Sequence, residues 1–426
     1  MIQLWMDKED MRMSSATIRD EFFEQYKEFY NGGPIPQHSS SDFAYFLECH
    51  RNRLEQKGIQ AVKKIDRIED DIDKAVHYDK QPYTLDMTFK ECNYETEYYK
   101  DGTFLARSDK DTETLYCNVL YKQGYQEETI SCPNCGHAAG AKTFVNGCPM
   151  CGTRFKTFKF FPCVTSFYTL PKFIERKKTE RNMKKVVGAG VILALLVAIG
   201  VFIYNWKTSG SLGAGLFFGV IAGLITGWLG TIFLYLGFSF ILAVTSFSKM
   251  FAQAADTSDI QAARFTKKKM ENEIRSYIPD FSYEYFEGKI QDLLRAIIFS
   301  EDRNNLSIYK GRDNLGYLND VIDVDYRGGF KYEGCTVVGD VLHVRLINYV
   351  VCEVYCDGKI GRHQRNFKME MIKRLNRSND LGFSIHAVNC KTCGATFDAM
   401  HVEKCPHCGH PYELIDDDWV VIYVGS

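Results

Sequence analysis

Cys132 to Gly152 reads CPNCGHAAGAKTFVNGCPMCG, and Cys390 to Gly409 reads CKTCGATFDAMHVEKCPHCG. Each stretch holds two Cys-x-x-Cys pairs, twelve residues apart in the first and eleven in the second. Two intervening residues let one tight turn aim both sulfurs at a single metal, and the glycine after each pair suits the left-handed backbone of such a turn. Proline stiffens three of the four turns. Four thiolates are the ligand set of a closed tetrahedral zinc site, which favours a structural role over catalysis. Cys132, Cys135, Cys148 and Cys151 are therefore expected to hold one zinc ion, and Cys390, Cys393, Cys405 and Cys408 a second. His137, His401, His407 and His410 lie nearby and read as loop residues, because four sulfurs already complete each shell.

Seven further cysteines are scattered: Cys49, Cys92, Cys117, Cys163, Cys335, Cys352 and Cys356. They read as buried small hydrophobes. The odd total of 15 argues against a complete disulfide framework and for a reducing compartment.

Around the ribbons the pattern is α+β. Ser14 and Ser15 can cap a helix with Ile18, Phe22, Tyr26 and Phe29 on its apolar face, stopped by Asn31-Gly32-Gly33-Pro34. Asp42 can cap a second helix with Phe43, Phe46, Leu47, His50 and Leu54 inward. After Gly58, the positions Val62, Ile65, Ile68, Ile72 and Val76 continue a helical stripe. From Tyr83 the period becomes two, through Leu85, Met87 and Phe89, and Lys100-Asp101-Gly102 forms a hairpin turn. Leu115 to Tyr121 is another strand, and Phe155 to Val164 is the expected last one.

The distal half repeats this order. Ile260 to Ile274 reads as helix, and Asp280 caps another with Phe281, Tyr285, Ile290, Leu293, Leu294 and Ile297 inward. Strands follow at Gly329 to Val338, Val341 to Tyr355 and Arg362 to Ile372, with Trp419 to Val424 after the ribbon. Glu97, Tyr99, Asp101 and Gly102 match Glu353, Tyr355, Asp357 and Gly358 in register, which reads as an internal duplication.

Between the halves the chain is apolar. Val186 to Trp206 and Leu212 to Phe247 carry no charge, and each is long enough to cross a hydrocarbon core of about 30 Å as a helix. Lys172, Arg176, Lys177, Lys178, Arg181, Lys184 and Lys185 precede the first run. Lys249, Arg264, Lys267, Lys268 and Lys269 follow the second. Positive flanks stay cytoplasmic, so an even number of spans, a two-helix hairpin, is expected in the cell membrane with both ends of the chain inside. Gly215, Gly219, Gly223 and Gly227 lie along one helix face and suit close packing, within the hairpin or between copies. The spans lack ionisable groups, which fits an anchor better than a transporter.

The layout is thus an N-terminal helix in 1–40, an α+β domain over 41–165 with its ribbon at 132–151, membrane helices over 186–206 and 212–247, and a second α+β domain over 257–426 with its ribbon at 390–408. The net charge of −2 over 426 residues gives no global field for nucleic acid. Lys142, Arg154 and Lys156 with Phe144 and Phe155 are the sparse basic and aromatic groups near the first ribbon, and Asp416, Asp417 and Asp418 stand beside the second. Nucleic-acid or ribosome binding is the weaker alternative. An enzymatic role for a strand histidine, His343, is weaker still, with no Gly-x-Ser-x-Gly, His-Glu-x-x-His or phosphate loop.

At Asp280-Phe281-Ser282-Tyr283-Glu284-Tyr285-Phe286, Tyr355-Cys356-Asp357-Gly358-Lys359-Ile360 and Trp419-Val420-Val421-Ile422, the distal half resembles the Tim-forty-four-like family, and residues 14–165 do so more faintly. That family includes the tether of the mitochondrial import motor and bacterial membrane proteins, some with zinc ribbons. The resemblance implies a curved antiparallel sheet with helices against it, a cone similar to nuclear transport factor two, with an apolar pocket and a scaffolding role. It supplies no catalytic residues. The departure is the hairpin between two ribbon-bearing halves, so the mitochondrial partners do not carry over. The expectation is a membrane-anchored scaffold that binds a protein partner or lipid, in translocation or membrane assembly.

Overall fold

The computed structural model describes residues 2–67, 74–108, 111–127, 129–132, 134–144, 146–153, 160–171, 192, 195–208, 210–213, 216–221, 225, 265–375 and 380–426. The chain forms two compact units. The first joins Met1–Pro171 to Ile260–Ser426, and the second is Lys172–Asp259.

In the first unit, α1 (Ile2–Tyr30) and α2 (Ser41–Gln56) precede a strand meander. β1 (Ile59–Arg67) and β2 (Lys74–Lys80) lie in line along one edge of β3 (Tyr83–Lys100). β4 (Thr103–Arg107) and β5 (Asp111–Lys122) lie in line along its other edge. A short ribbon pair follows, β6 (Thr129–Ser131) with β7 (Ala138–Gly140), and β8 (Cys163–Pro171) closes on β5.

The distal half has the same order. A helix at 265–275 and α3 (Tyr283–Phe299) precede β9 (Val321–Val338), β10 (Val341–Cys356) and β11 (Lys359–Arg374). The second ribbon pairs β12 (Val388–Asn389) with β13 (Thr396–Phe397), and β14 (Val420–Gly425) closes on β11. Both sheets are antiparallel, and each ribbon sits between the third strand of a meander and its closing strand. The central hairpins match in detail. Asp101-Gly102 has φ of 49° and 77°, Asp357-Gly358 has 50° and 77°, and Glu97 opposes Arg107 as Glu353 opposes Arg362. Two consecutive positive φ values are what a two-residue turn needs to follow the strand twist.

Where the sequence suggests two separate domains, both halves share one core running from Ile18 and Phe43 through Ile290 and Leu294 to Phe367 and Val421. α3 is the wedge. Fifteen of its seventeen residues are buried, so it is enclosed on all sides rather than amphipathic. Phe286 packs on Trp419, and Tyr283 stacks on Phe330 of β9. On the other side, a Cβ at Gly288 would lie 2.9 Å from the Ser166 side chain of β8, a contact only glycine permits. Arg53 of α2 fastens the junction. Its guanidinium donates to the carbonyls of Ile298 and Phe299 at the end of α3 and to those of Leu318, Asn319 and Val321, at 3.0–3.3 Å. One fork thereby satisfies helix-end carbonyls that have no partner in their own helix.

In the second unit, residues 195–208 and 216–221 are helical. A Cβ at Gly219 would lie 3.0 Å from the Ala198 carbonyl oxygen and 3.1 Å from Phe202 Cβ. This glycine therefore marks a close approach within the unit. Leu195, Leu196, Ile199, Ile203, Leu216, Phe217 and Phe218 are all exposed. Among the described residues no helix is long and apolar enough to cross a membrane. Residues 186–191, 193 and 194 of the first uncharged run, most of the second, the basic flank Lys172 to Lys185, and Gly215, Gly223 and Gly227 lie outside the described residues.

Several sequence expectations change. α1 runs through Ser14 and Ser15 rather than starting there, since neither glycine nor proline interrupts Ile2 to Tyr30. The caps are Ser40 and Ser282, whose hydroxyls accept from Phe43 N and Tyr285 N, rather than Asp42 and Asp280. The helical stripe from Val62 to Val76 is instead β1 and β2, with Ile68 and Ile72 outside the described residues. Ile59, Ala61, Lys63 and Ile65 alternate inward; the lysine among them hides the period of two. Of the strand expected at Phe155 to Val164, residues 155–159 lie outside the described residues, and the described strand is Cys163–Pro171. Of the helix expected at Ile260 to Ile274, residues from 265 onward are helical, and 260–264 lie outside the described residues.

Candidate metal centres

Each cysteine pair folds into the same knuckle. The Gly136, Gly152, Gly394 and Gly409 amides donate to the carbonyls of Cys132, Cys148, Cys390 and Cys405 at 2.8–2.9 Å. Those four cysteine amides in turn donate to His137, Thr153, Ala395 and His410 carbonyls at 2.8–2.9 Å. The glycines have φ of 71–73°, a conformation that strains any residue with a Cβ. His137 and His410 thus contribute backbone oxygens, while His401 Nδ1 lies 3.2 Å from the Asn305 carbonyl.

The knuckles bring four sulfurs together at each end. Cys132 and Cys151 Sγ are 3.6 Å apart and Cys135 and Cys148 3.5 Å; Cys390 and Cys408 are 3.6 Å apart and Cys393 and Cys405 3.7 Å. Within each group all sulfurs lie inside 4.8 Å of one another. A disulfide needs about 2.05 Å, so these are open thiols placed around a common centre. Each group of four cysteines is close enough to hold one metal ion. The Thr153 hydroxyl, 3.1 Å from Cys151 Sγ, brings that thiol down to about 6. Backbone amides of Cys393 and Thr392 do the same for Cys390, also to about 6. Thiolate, the metal-binding form, is therefore accessible at neutral pH at one cysteine of each group, while the neighbouring sulfurs push Cys135 and Cys408 up to about 12.

The two centres are seated differently. The first rests on a small satellite cluster, Phe144 beneath buried Cys132 and Cys148, and is tied by Ile35 N donating to Asn146 Oδ1 at 3.1 Å. The second is part of the main core, with Cys390 and Cys405 packed among Phe397, Met400 and Leu414. Ser307 donates to it twice, Oγ to Ala399 O at 2.6 Å and N to Met400 O at 2.8 Å. Tyr45 of α2 packs tilted against His386 and edge-on to His401 beside it.

Sequence reading misses a buried polar cluster between β1 and β9. Lys63 Nζ lies 2.7 Å from Asp323 Oδ2 and 2.8 Å from Tyr94 Oη. Burial alone would lower the Lys63 ammonium, but Asp323 outweighs it and holds it well above its ordinary value. Asp323 is held below the usual carboxylate range because Lys63 overcomes its own burial. Burial pushes His50 down to about 4, so it is neutral. Its Nε2 donates to Ile322 O at 2.6 Å, which leaves Nδ1 to accept from Tyr30 Oη at 2.8 Å. Glu353, across from Asp323, is pushed up to about 7 by burial and by Asp325. The visible signal is a lysine at an inward position of an alternating stretch; nothing local names its partner 260 residues away.

A second polar feature is a cavity of about 40 Å³ between Ser39–Asp42, α3 and Leu381–Ser384. Asp292 faces it, held well above the carboxylate range by burial. Room for about one water leaves no space for an organic substrate. His343 Nδ1 pairs with Glu370 at 2.8 Å on the outer face of the distal sheet, a surface pair.

Comparison with protein-family models, with characterised proteins and with solved structures finds no match for this chain.

Proposed function

We propose that this chain is a membrane-anchored scaffold, in which one folded unit braced by two structural zinc ions hangs from a hairpin of two spans and binds a protein partner or lipid. The observation that carries the reading is the connectivity. Two uncharged runs lie in an insertion whose ends, Pro171 and Ile260, belong to one compact unit. A folded unit of this size with a polar surface cannot straddle a bilayer, so an insertion that enters must come back. The exposed Leu195, Leu196, Ile199, Ile203 and Phe217 support a lipid-facing surface.

Zinc fits the sulfur geometry. Zn–S bonds of about 2.3 Å in a tetrahedron place the sulfurs about 3.8 Å apart, close to the 3.5–3.7 Å found. When bound, zinc would supply a closed four-thiolate anchor; the chain's own knuckles orient it, and the fold covers Cys132, Cys148, Cys390 and Cys405 while the other four sulfurs face outward. The meander with helices before it in each half is consistent with the cone that the Tim-forty-four-like resemblance implies. The scaffold role itself is carried over from the Tim-forty-four-like resemblance.

Membranes from cells expressing the full chain test the anchor. Under alkaline carbonate the chain should stay in the pellet, and protease added to sealed vesicles should cut both ribbon-bearing segments or neither. Release into the wash, or cleavage on one side only, would overturn the hairpin.

A further inference from the structure

The first unit's last residues before the insertion and its first described residues after it meet the same strand. Leu170 packs on Gly328 of β9, where a Cβ would lie 3.2 Å from Leu170 Cδ1. Thr266 Oγ accepts from Tyr332 N, on the same strand, at 3.0 Å. Four residues of strand separate these contacts by no more than about 13 Å. Both ends of the insertion therefore leave the unit at one place.

The helix at 265–275 that marks this place has two faces. Met270 and Ile274 are fully buried against the core. Lys267 also turns inward, 2.7 Å from Glu284 and over the Tyr283 ring. Phe265 does the opposite and is 84% exposed. Lys268 and Lys269 are exposed too, and they follow Phe265 by three and four residues, so the three share a helix face. Lys269 has loose companions, Glu273 at 3.8 Å and the Tyr332 ring at 6.0 Å. An aromatic ring beside two ammonium groups on one face is the composition of an interfacial anchor. The ring sits at headgroup depth and the charges meet lipid phosphates.

We propose that Phe265, Lys268 and Lys269 seat the β9 edge of the first unit on an anionic lipid surface. This rests on the membrane reading above, which the closing experiment separates from it. The full chain, carrying a photoreactive benzoylphenylalanine in place of Phe265, is reconstituted into phosphatidylcholine vesicles mixed with phosphatidylglycerol. Lipid adducts are expected several-fold above those from the same residue placed at Val402, an exposed position in the second ribbon. Lys268→Gln with Lys269→Gln is expected to lower the yield several-fold on mixed vesicles and to leave it unchanged on pure phosphatidylcholine. Retained metal and an unchanged melting temperature show that each variant is folded. Adducts at 265 no more frequent than at Val402, in a chain that resists carbonate, would overturn the proposal alone. A chain that carbonate removes would overturn the anchor and the proposal together.

Discussion

Lys63 Nζ of β1 lies 2.7 Å from Asp323 Oδ2 of β9, with the two side chains 2% and 9% exposed. Each charge was removed from water, so each depends on the other. Lys63→Met is expected to destabilise the first unit by about 3–5 kcal/mol, and Asp323→Asn similarly, because either leaves its partner buried and uncompensated. Lys63→Met combined with Asp323→Asn should cost clearly less than the two losses added together. Denaturant unfolding of the full chain in detergent checks this, and full additivity would show that the pair is not coupled.

The pH profile carries two opposing slopes. His50 has a folded value of about 4, below its ordinary 6.5. Its contribution is present above 6.5 and lost as pH falls toward 4. Glu353 is raised from 4.5 to about 7, so its contribution is present below 4.5 and lost as pH rises toward 7. Between about pH 4.5 and 6.5 the two offset one another. Glu353→Gln removes one slope. Relative to the parent, the variant is expected to gain about 2 kcal/mol from pH 4.5 to 6.5, since each tenfold change in proton affinity is worth about 1.4 kcal/mol. Melting temperatures across that range read it directly.

Metal loss should differ between the centres. Cys135→Ser with Cys151→Ser and Cys393→Ser with Cys408→Ser each change exposed sulfurs only. Each is expected to drop bound zinc from two equivalents to one by elemental analysis. The first pair should loosen the ribbon around Phe144 and leave the rest protected in hydrogen exchange. The second, embedded with Phe397 and Leu414 in the shared core, should lower protection across α2 and α3.

At Gly288 even a small side chain meets Ser166. Gly288→Val is expected to force α3 off β8 and to destabilise the unit by about 1–3 kcal/mol, as overpacking does. Ser166→Ala should recover part of that loss, which a purely helical-propensity effect would not allow.

Local chemistry was legible in the sequence. The cysteine spacing named all eight sulfurs that gather, the alternation from Tyr83 marked β3, and Asp101-Gly102 and Asp357-Gly358 marked the turns. The starts of α2 and α3 were legible to within two residues, because aspartate and serine compete for the same capping role and only geometry decides. What was hidden lay in distant pairing. Lys63 carried no sign of its burial, because its counter-charge sits on another half of the chain. Arg53 carried no signal, since its five partners are backbone carbonyls and backbone has no sequence. Polar residues placed inward by a remote partner are where hydrophobic periodicity misleads.

The discontinuous first unit also sets an order of events during synthesis. When β1 leaves the ribosome, Asp323 is still 260 residues away, about 13–50 s at elongation rates of about 5–20 residues per second. The segment Lys172–Asp259 emerges within that interval. The proximal half must wait with Lys63 unpaired, Arg53 without its carbonyls and one flank of β8 uncovered, until α3 arrives to close it. Folding of the proximal half is thus held open until the intervening segment has been made, and a truncated product ending before α3 is expected to be a substrate for chaperones and proteases.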